Sequence, residues 1–307
     1  VRRALVTGSA GFLGRHFAAR LQRDGYEISR VDTADPVCPR DALTRFSFTA
    51  GRRFDLVIHC AAVAPHRSAI DGTPLTVGAG NLELDAAMFG WAARAMPGRV
   101  VYISSAAAYP RYLQDGKQPH PMAEDMVGEF AGVHGEPDAI YGWAKLTGER
   151  LADAYRAHGG AVTVVRPFSG YGEDQSAHFP FGAFRDRATR REDPFTIWGT
   201  GRQVRDWVHV DDIVAAALAA AELGMDGPLN ICTGAGTSLR ELAGMFCAQA
   251  GYAPAFEFKR DAPAGVAYRV GDPSRLREVY EPQVTLAEGV RRALKHATHV
   301  RSEQGVE

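Results

Sequence analysis

Apolar positions in the first half of the chain fall into short continuous runs separated by stretches of helical period. Residues 3–6 make the first run, and Phe12–Arg23 follows with Leu13, Phe17 and Leu21 on one helical face. Gly25 ends that helix, and Glu27–Val31 reads as the next strand. Leu56–His59, Val100–Ile103 and residues 162–165 are further β-branched runs, with a long helical segment between the first two. Strands that alternate with helices require crossover connections. The pattern therefore predicts a parallel, doubly wound α/β sheet.

After Arg166 the rhythm changes. Residues 167–203 are rich in Phe, Pro, Gly and Arg and only weakly periodic. Asp212 is then expected to cap a helix running to about Leu223. Ser238-x-x-Glu241 and Thr285-x-x-Glu288 both carry the capping-box pattern, so each predicts a helix start. The expected division is a large domain over 1–165, rejoined by about 204–228, and a smaller lobe from 166–203 and 229–307.

Composition narrows the partners. A formal net charge of −1 offers no field to recruit nucleic acid or an anionic membrane. The apolar stretch 213–221 is about half of the ~20 residues a membrane-spanning helix needs. The chain starts in a strand-like run with no leader pattern. Cys38, Cys60, Cys232 and Cys247 have no paired spacing, so free thiols in a reducing compartment are expected, and no metal site. The expected location is the cytoplasm.

Chemistry enters at the first turn. Gly8, Gly11 and Gly14 lie directly between the first strand and the first helix. Such glycines allow a tight turn, a close backbone approach to a pyrophosphate and close helix–strand packing. The helix N-terminus adds free N–H groups and the positive end of its dipole. Asp32, at the end of the second strand, can accept from ribose hydroxyls and repel a 2′-phosphate, which favours NAD over NADP.

Tyr141-Gly-Trp-Ala-Lys145 places a phenol and an ammonium on one helix face. A phenol ordinarily titrates near ~10, and a neighbouring cation favours its ionised form, so Tyr141 is a candidate proton acceptor. Ser104-Ser105 follows the run 100–103. In open parallel sheets the ligand sits beyond the carboxyl ends of the strands, where a serine hydroxyl can meet a substrate oxygen.

Taken in order, Gly8/Gly11/Gly14, Asp32, His59-Cys60-Ala61-Ala62, Ser105, Tyr141/Lys145 and the stretch 205–212 (RDWVHVDD) resemble the NAD-dependent epimerase/dehydratase family of extended short-chain dehydrogenases. The resemblance spans nearly the whole chain and implies a Rossmann-like sheet with a smaller α/β substrate lobe. It implies Ser105, Tyr141 and Lys145 as the catalytic set. NAD contacts would come from Gly8, Gly11, Phe12, Leu13, Gly14, Asp32, Ala61, Ala62, Ser104, Tyr141, Lys145 and Pro167. The substrate, a UDP-, dTDP- or GDP-linked sugar, would meet Ser105, Ser169, His178, Arg205, Arg269 and Asp272. His209 and Asp211 would be structural or substrate-adjacent. Relatives commonly dimerise through two helices, which here would be residues 81–95 and the helix carrying Tyr141.

The residues after Ser105 separate the reactions within that family. Sugar 4,6-dehydratases are expected to carry an Asp-Glu pair where this chain has Ala106-Ala107, and alanines move no proton. A 3,5-epimerising synthase would have Cys for Ala106. The remaining resemblance is to nucleotide-sugar 4-epimerases, with a sugar ketoreductase and a non-catalytic NAD sensor as the alternatives. The insertion 111–140 is a candidate lid over the sugar.

Overall fold

The computed structural model describes residues 1–32, 52–63, 67–127 and 135–303. Cys38 and part of the candidate lid lie outside them. Six strands form one parallel sheet: β1 (Arg3–Thr7), β2 (Glu27–Val31), β3 (Leu56–His59), β4 (Val100–Ile103), β5 (Val162–Pro167) and β9 (Pro228–Ile231). Their order is β2-β1-β3-β4-β5-β9. The register sets Val6 beside Arg30 on one side and Ile58 on the other.

Both faces of this sheet are covered, which is why its central strands read as unbroken apolar runs. Successive side chains point to opposite faces. Ala4, Val6, Ile58, Val101 and Ile103 join one core, with Phe17 and Leu21 of α1 (Phe12–Arg23) and Ile213 and Ala217 of α6 (Val210–Glu222). Leu5, Val57, Val100, Tyr102 and Val164 join the other. Met88 and Phe89 of α3 (Pro74–Ala95) and Ala152 and Tyr155 of α4 (Ala139–Ala157) close that face. The expected doubly wound α/β class is the one observed.

The remaining elements build a second layer. β8 (Val204–His209) pairs with β6 (Ser169–Tyr171), β10 (Gly236–Ser238) and β12 (Tyr268–Arg269), while β7 (Phe195–Trp198) pairs with β11 (Phe256–Lys259). Helices α5 (Pro180–Thr189), α7 (Leu239–Gln249) and α9 (Leu286–Glu303) cover them. Their core is aromatic, with the Phe181 ring 4.3 Å from that of Tyr171 and 5.0 Å from that of Phe246.

Two helix starts follow the expected chemistry. Ser238 and Glu241 form a full capping box, and Thr285 Oγ1 accepts from the Glu288 N–H. The third does not. α6 begins at Val210, and its cap is His209, whose Nδ1 accepts from the Asp211 N–H. Asp212 is turned inward to accept from the Tyr280 hydroxyl and the N–H groups of Gln283 and Val284. Its partners lie some seventy residues downstream, so a local pattern reads it as a cap.

Candidate active site

Strand order reverses at β1, whose neighbours β2 and β3 follow it in sequence on opposite sides. A crevice opens at the carboxyl ends of strands at such a point. Gly8 ends β1 with a φ of +65°, and a β-carbon there would lie 2.6 Å from the Ala61 nitrogen. Ala61 in turn donates its N–H to Thr7 Oγ1. The glycine loop and the Ala61-Ala62 segment thus meet with no room for a side chain between them. Gly14 brings α1 against the Gly8 carbonyl, and Asp32 Oδ2 accepts from the Ala10 N–H at 2.8 Å. This cradle of bare backbone, with a carboxylate at its rim, fits a dinucleotide. Phe12 packs its ring near Gly172, and Pro167 is buried at the end of β5.

Behind the crevice a polar chain crosses the sheet. Thr7 Oγ1 lies 2.7 Å from His59 Nδ1, and His59 Nε2 lies 3.0 Å from Asp85 Oδ1. The Tyr102 hydroxyl donates to the other Asp85 oxygen at 2.6 Å. Burial works to raise the Asp85 carboxyl, but Lys145, His59 and Tyr102 together hold it below the usual range. The neighbouring Cys60 thiol is pushed up to about 12 by burial, against which Lys145 works only in part. Nothing in the sequence pattern singled out Asp85.

Two residues past the end of β4, Ser105 caps a short 3₁₀ turn, Ala106–Ala108, with Oγ accepting from the Ala107 N–H. The Ala107 carbonyl accepts from Asp138, and a β-carbon on Gly142 would come within 2.2 Å of that same oxygen. Helix α4 is therefore seated directly on the turn that carries Ser105. Lys145 is buried, donates to the Ile103 carbonyl at 3.0 Å and lies 5.9 Å from the Tyr141 ring centre.

Ser105 and Tyr141 open into a cavity of about 370 Å³ between the two layers. Its wall also carries His178, Arg205, Arg269, Ala107, Phe184 and Trp198. The volume falls in the range of small-molecule sites, roughly 300–1,000 Å³. Among the described residues four arginines (Arg67, Arg187, Arg205, Arg269) face it against one carboxylate, Asp138. Arg205 donates to the carbonyls of Val204 and Val266, and among the described residues no carboxylate pairs with it. Burial and then the Arg269 charge lower it to about 9, which leaves it cationic at neutral pH. A half-buried cation that bonds only to carbonyls among the described residues is a ready partner for an anion.

Other expected contacts lie elsewhere. The Ser104 hydroxyl is taken up by Glu149 at 2.5 Å, inside a buried pair in which Arg166 binds both Glu149 oxygens. Ser169 of β6 pairs with Trp207 of β8 and does not line the cavity. Asp272 is absent from the wall and accepts from the N–H and hydroxyl of Ser274. The described part of the 111–140 insertion, the candidate lid, is hydrogen-bonded to the segments around β9 and β12. Met122 donates to the Val270 carbonyl, and Glu124 accepts from the Asn230 N–H. Asp138 and Arg67 were not anticipated; an Asp just before a helix reads as an ordinary cap.

Relatives carry the same frame. The chain is 30% identical to a dTDP-4-dehydro-6-deoxy-D-allose reductase of a Streptomyces species, over 92% of each chain. It is 28% identical to a UDP-glucose 4-epimerase of Mycolicibacterium smegmatis, over 95% of this chain and 97% of that one. Its fold is similar to a UDP-glucose 4-epimerase from Thermotoga maritima solved with UDP-glucose, with a TM-score of 0.84 and 26% identity. That likeness covers 97% of this chain and 99% of the other. The sequence profile of one family matches residues 4–232, which hold the glycine cradle, Ser105, Tyr141 and Lys145. The chain belongs to the NAD dependent epimerase/dehydratase family, and NAD is its cofactor.

Proposed function

We propose that the protein is a nucleotide-sugar 4-epimerase, inverting C4 through a transient 4-keto sugar. The observation that carries this reading is that, among the described residues, no unclamped carboxylate stands near Ser105 and Tyr141, His178 being the one imidazole on the same wall. Ala106 and Ala107 are buried alanines, and Asp138, the one carboxylate on the wall among the described residues, is clamped between Arg67 and Arg269. Loss of water across two carbons needs a further acid and base. Inversion at one carbon needs a single proton acceptor and a pocket in which the ketone can turn.

Each residue then has a task. Ser105 donates to or accepts from the sugar O4, and Tyr141 takes its proton and later returns it. Lys145, fixed to the Ile103 carbonyl, supplies a positive charge beside the phenol. Bound NAD supplies the acceptor and donor of the C4 hydrogen. Arg205 holds the diphosphate, which a guanidinium can grip through two N–H groups.

A single-step ketoreductase is the second reading, favoured by the similarity to the Streptomyces reductase. Acid denaturation of the purified protein separates the two. Stoichiometric NAD released from the protein, with C4 inversion by proton NMR across a panel of UDP-, dTDP- and GDP-sugars, is the expected result. Protein free of NAD that consumes added NADH or NADPH when given a 4-keto sugar nucleotide would establish the reductase.

We further propose a homodimer through α3 and α4. Leu75 (81% exposed), Leu82 (40%) and Trp143 (46%) stand on these two helices. Light scattering at micromolar concentration is expected to give twice the chain mass, and a monomer mass overturns it. Among the described residues Cys60, Cys232 and Cys247 form no disulfide.

A further inference from the structure

Asp138 sits where a helix cap belongs and does not cap. It immediately precedes α4, yet its side chain accepts no hydrogen bond from that helix. Its two oxygens instead reach outward. Oδ1 accepts from Arg67 Nη1 at 2.8 Å, at the start of α2 (Arg67–Gly72), and Oδ2 accepts from Arg269 Nη2 at 2.6 Å, in β12. Arg269 is itself fixed by Gln114, whose Oε1 accepts from Nε at 2.6 Å. One buried carboxylate therefore joins the sheet layer to the layer above it, on the wall of the cavity.

The next residue shows what this geometry demands of the backbone. Ala139 has a φ of +57°, a left-handed conformation that an alanine adopts only when its surroundings impose it. On one side the Asp138 N–H is bound to the Ala107 carbonyl, and the Asp138 carbonyl accepts from Gly142 in the first turn of the helix. On the other the side chain is drawn away toward the two arginines. The left-handed step reconciles the two, and Tyr141 is the second residue after it.

We infer that Asp138 is a positioning residue for Tyr141: by binding Arg67 and Arg269 it fixes the left-handed step at Ala139 and so the placement of the phenol beside Ser105. The inference rests on the reading of Tyr141 as proton acceptor. It makes the alignment of the proton acceptor depend on the contact between the two layers that enclose the sugar.

The test uses the NAD-loaded protein and the sugar nucleotide that wild type turns over in the panel above. Asp138→Asn keeps the shape and removes the charge. Its kcat is expected to fall 10- to 100-fold, with NAD retention and the affinity for that substrate's nucleoside diphosphate (UDP, dTDP or GDP), read by calorimetry, changed less than threefold. Added to Tyr141→Phe, it should cause no further loss, because both changes act on the same proton transfer. Asp138→Glu covers the case in which Asp138→Asn does not fold. It keeps both ion pairs and the fold, but its extra methylene displaces the step, so kcat should still fall severalfold. A full rate in either soluble variant overturns the inference, as does an Asp138→Asn loss that recurs undiminished on top of Tyr141→Phe. Turnover that survives in Tyr141→Phe removes the functional reading and this inference together. An inactive Tyr141→Phe beside a fully active Asp138→Asn removes the inference alone.

Discussion

A β-carbon built on Gly14 would stand 2.0 Å from the carbonyl oxygen of Gly8. That distance lies far inside contact, and the obstructing atom is backbone, so neither partner can turn away. The first turn of α1 is thereby pressed onto the end of β1, which aims the helix N-terminus into the crevice between β1 and β3.

Gly14→Ala should destabilise the protein by roughly 1–3 kcal/mol, the usual range for forced overpacking. It should also lose NAD, because relief of the clash moves the loop. Gly90→Ala in α3 is the control: the nearest atom to its β-carbon is the far end of Arg94 at 3.9 Å. Helix propensity alone favours that change by up to ~1 kcal/mol. Thermal unfolding and the NAD content of both variants check the pair, and equal behaviour would mean the contact is not what shapes the loop.

Asp32 has two tasks that one substitution can separate. Its Oδ2 holds the Ala10 N–H of the glycine loop, and its charge opposes a 2′-phosphate. Asp32→Asn should keep most of the loop contact while relaxing the preference for NAD over NADP. Asp32→Ala should weaken both cofactors as well. Fluorescence titration of the two variants with each cofactor measures this. An unchanged preference in Asp32→Asn would mean the charge plays no part in selection.

The parts of this molecule legible in the sequence are those whose cause is local. Gly8, Gly11 and Gly14, the capping box of Ser238 and Glu241, and the double-sided burial of β3, β4 and β5 each show in a few consecutive residues. The missed features have partners far along the chain. Asp212 is drawn to residues 280–284, Ser104 to Glu149, and Asp138 to Arg67 and Arg269. The strands of the upper layer, such as β10 with three residues and β12 with two, are too short to show a period. Family resemblance alone put Ser169 and Asp272 against the substrate, and both lie off the cavity wall.

The Asp138 clamp also predicts an acid response. Burial alone would raise its carboxyl, but the charges of Arg269 and Arg67 outweigh burial and hold it below the usual range. A carboxyl depressed in the folded state stabilises fully above its ordinary value, about 3.9, and that stabilisation fades as pH falls through the lower folded value. Stability of the wild type should therefore drop below about pH 4, and Asp138→Asn should show a shallower drop across the same interval. Denaturant midpoints measured from pH 6 to pH 3 compare the two. Parallel curves would mean that the clamp does not bear on folding.

Tyr141→Phe tests the chemistry. The substitution keeps the ring and its packing and removes the one hydroxyl that the proposed mechanism uses to accept the O4 proton. Without that transfer, loss of hydrogen from C4 leaves a protonated ketone, a far poorer product than the neutral one. General acid–base catalysis is typically worth ~10²–10⁴-fold, so turnover should fall by that much, equivalent to about 3–5 kcal/mol of barrier. The phenol is only partly buried, and Lys145 keeps its bond to the Ile103 carbonyl, so NAD retention and the thermal midpoint should hardly move. Lys145→Ala differs on both counts. It vacates a buried position against Tyr102, whose ring centre lies 5.2 Å from the ammonium, and should lower stability along with turnover. Rates on a confirmed sugar nucleotide decide the matter: more than half of wild-type turnover in Tyr141→Phe would rule this phenol out as the base.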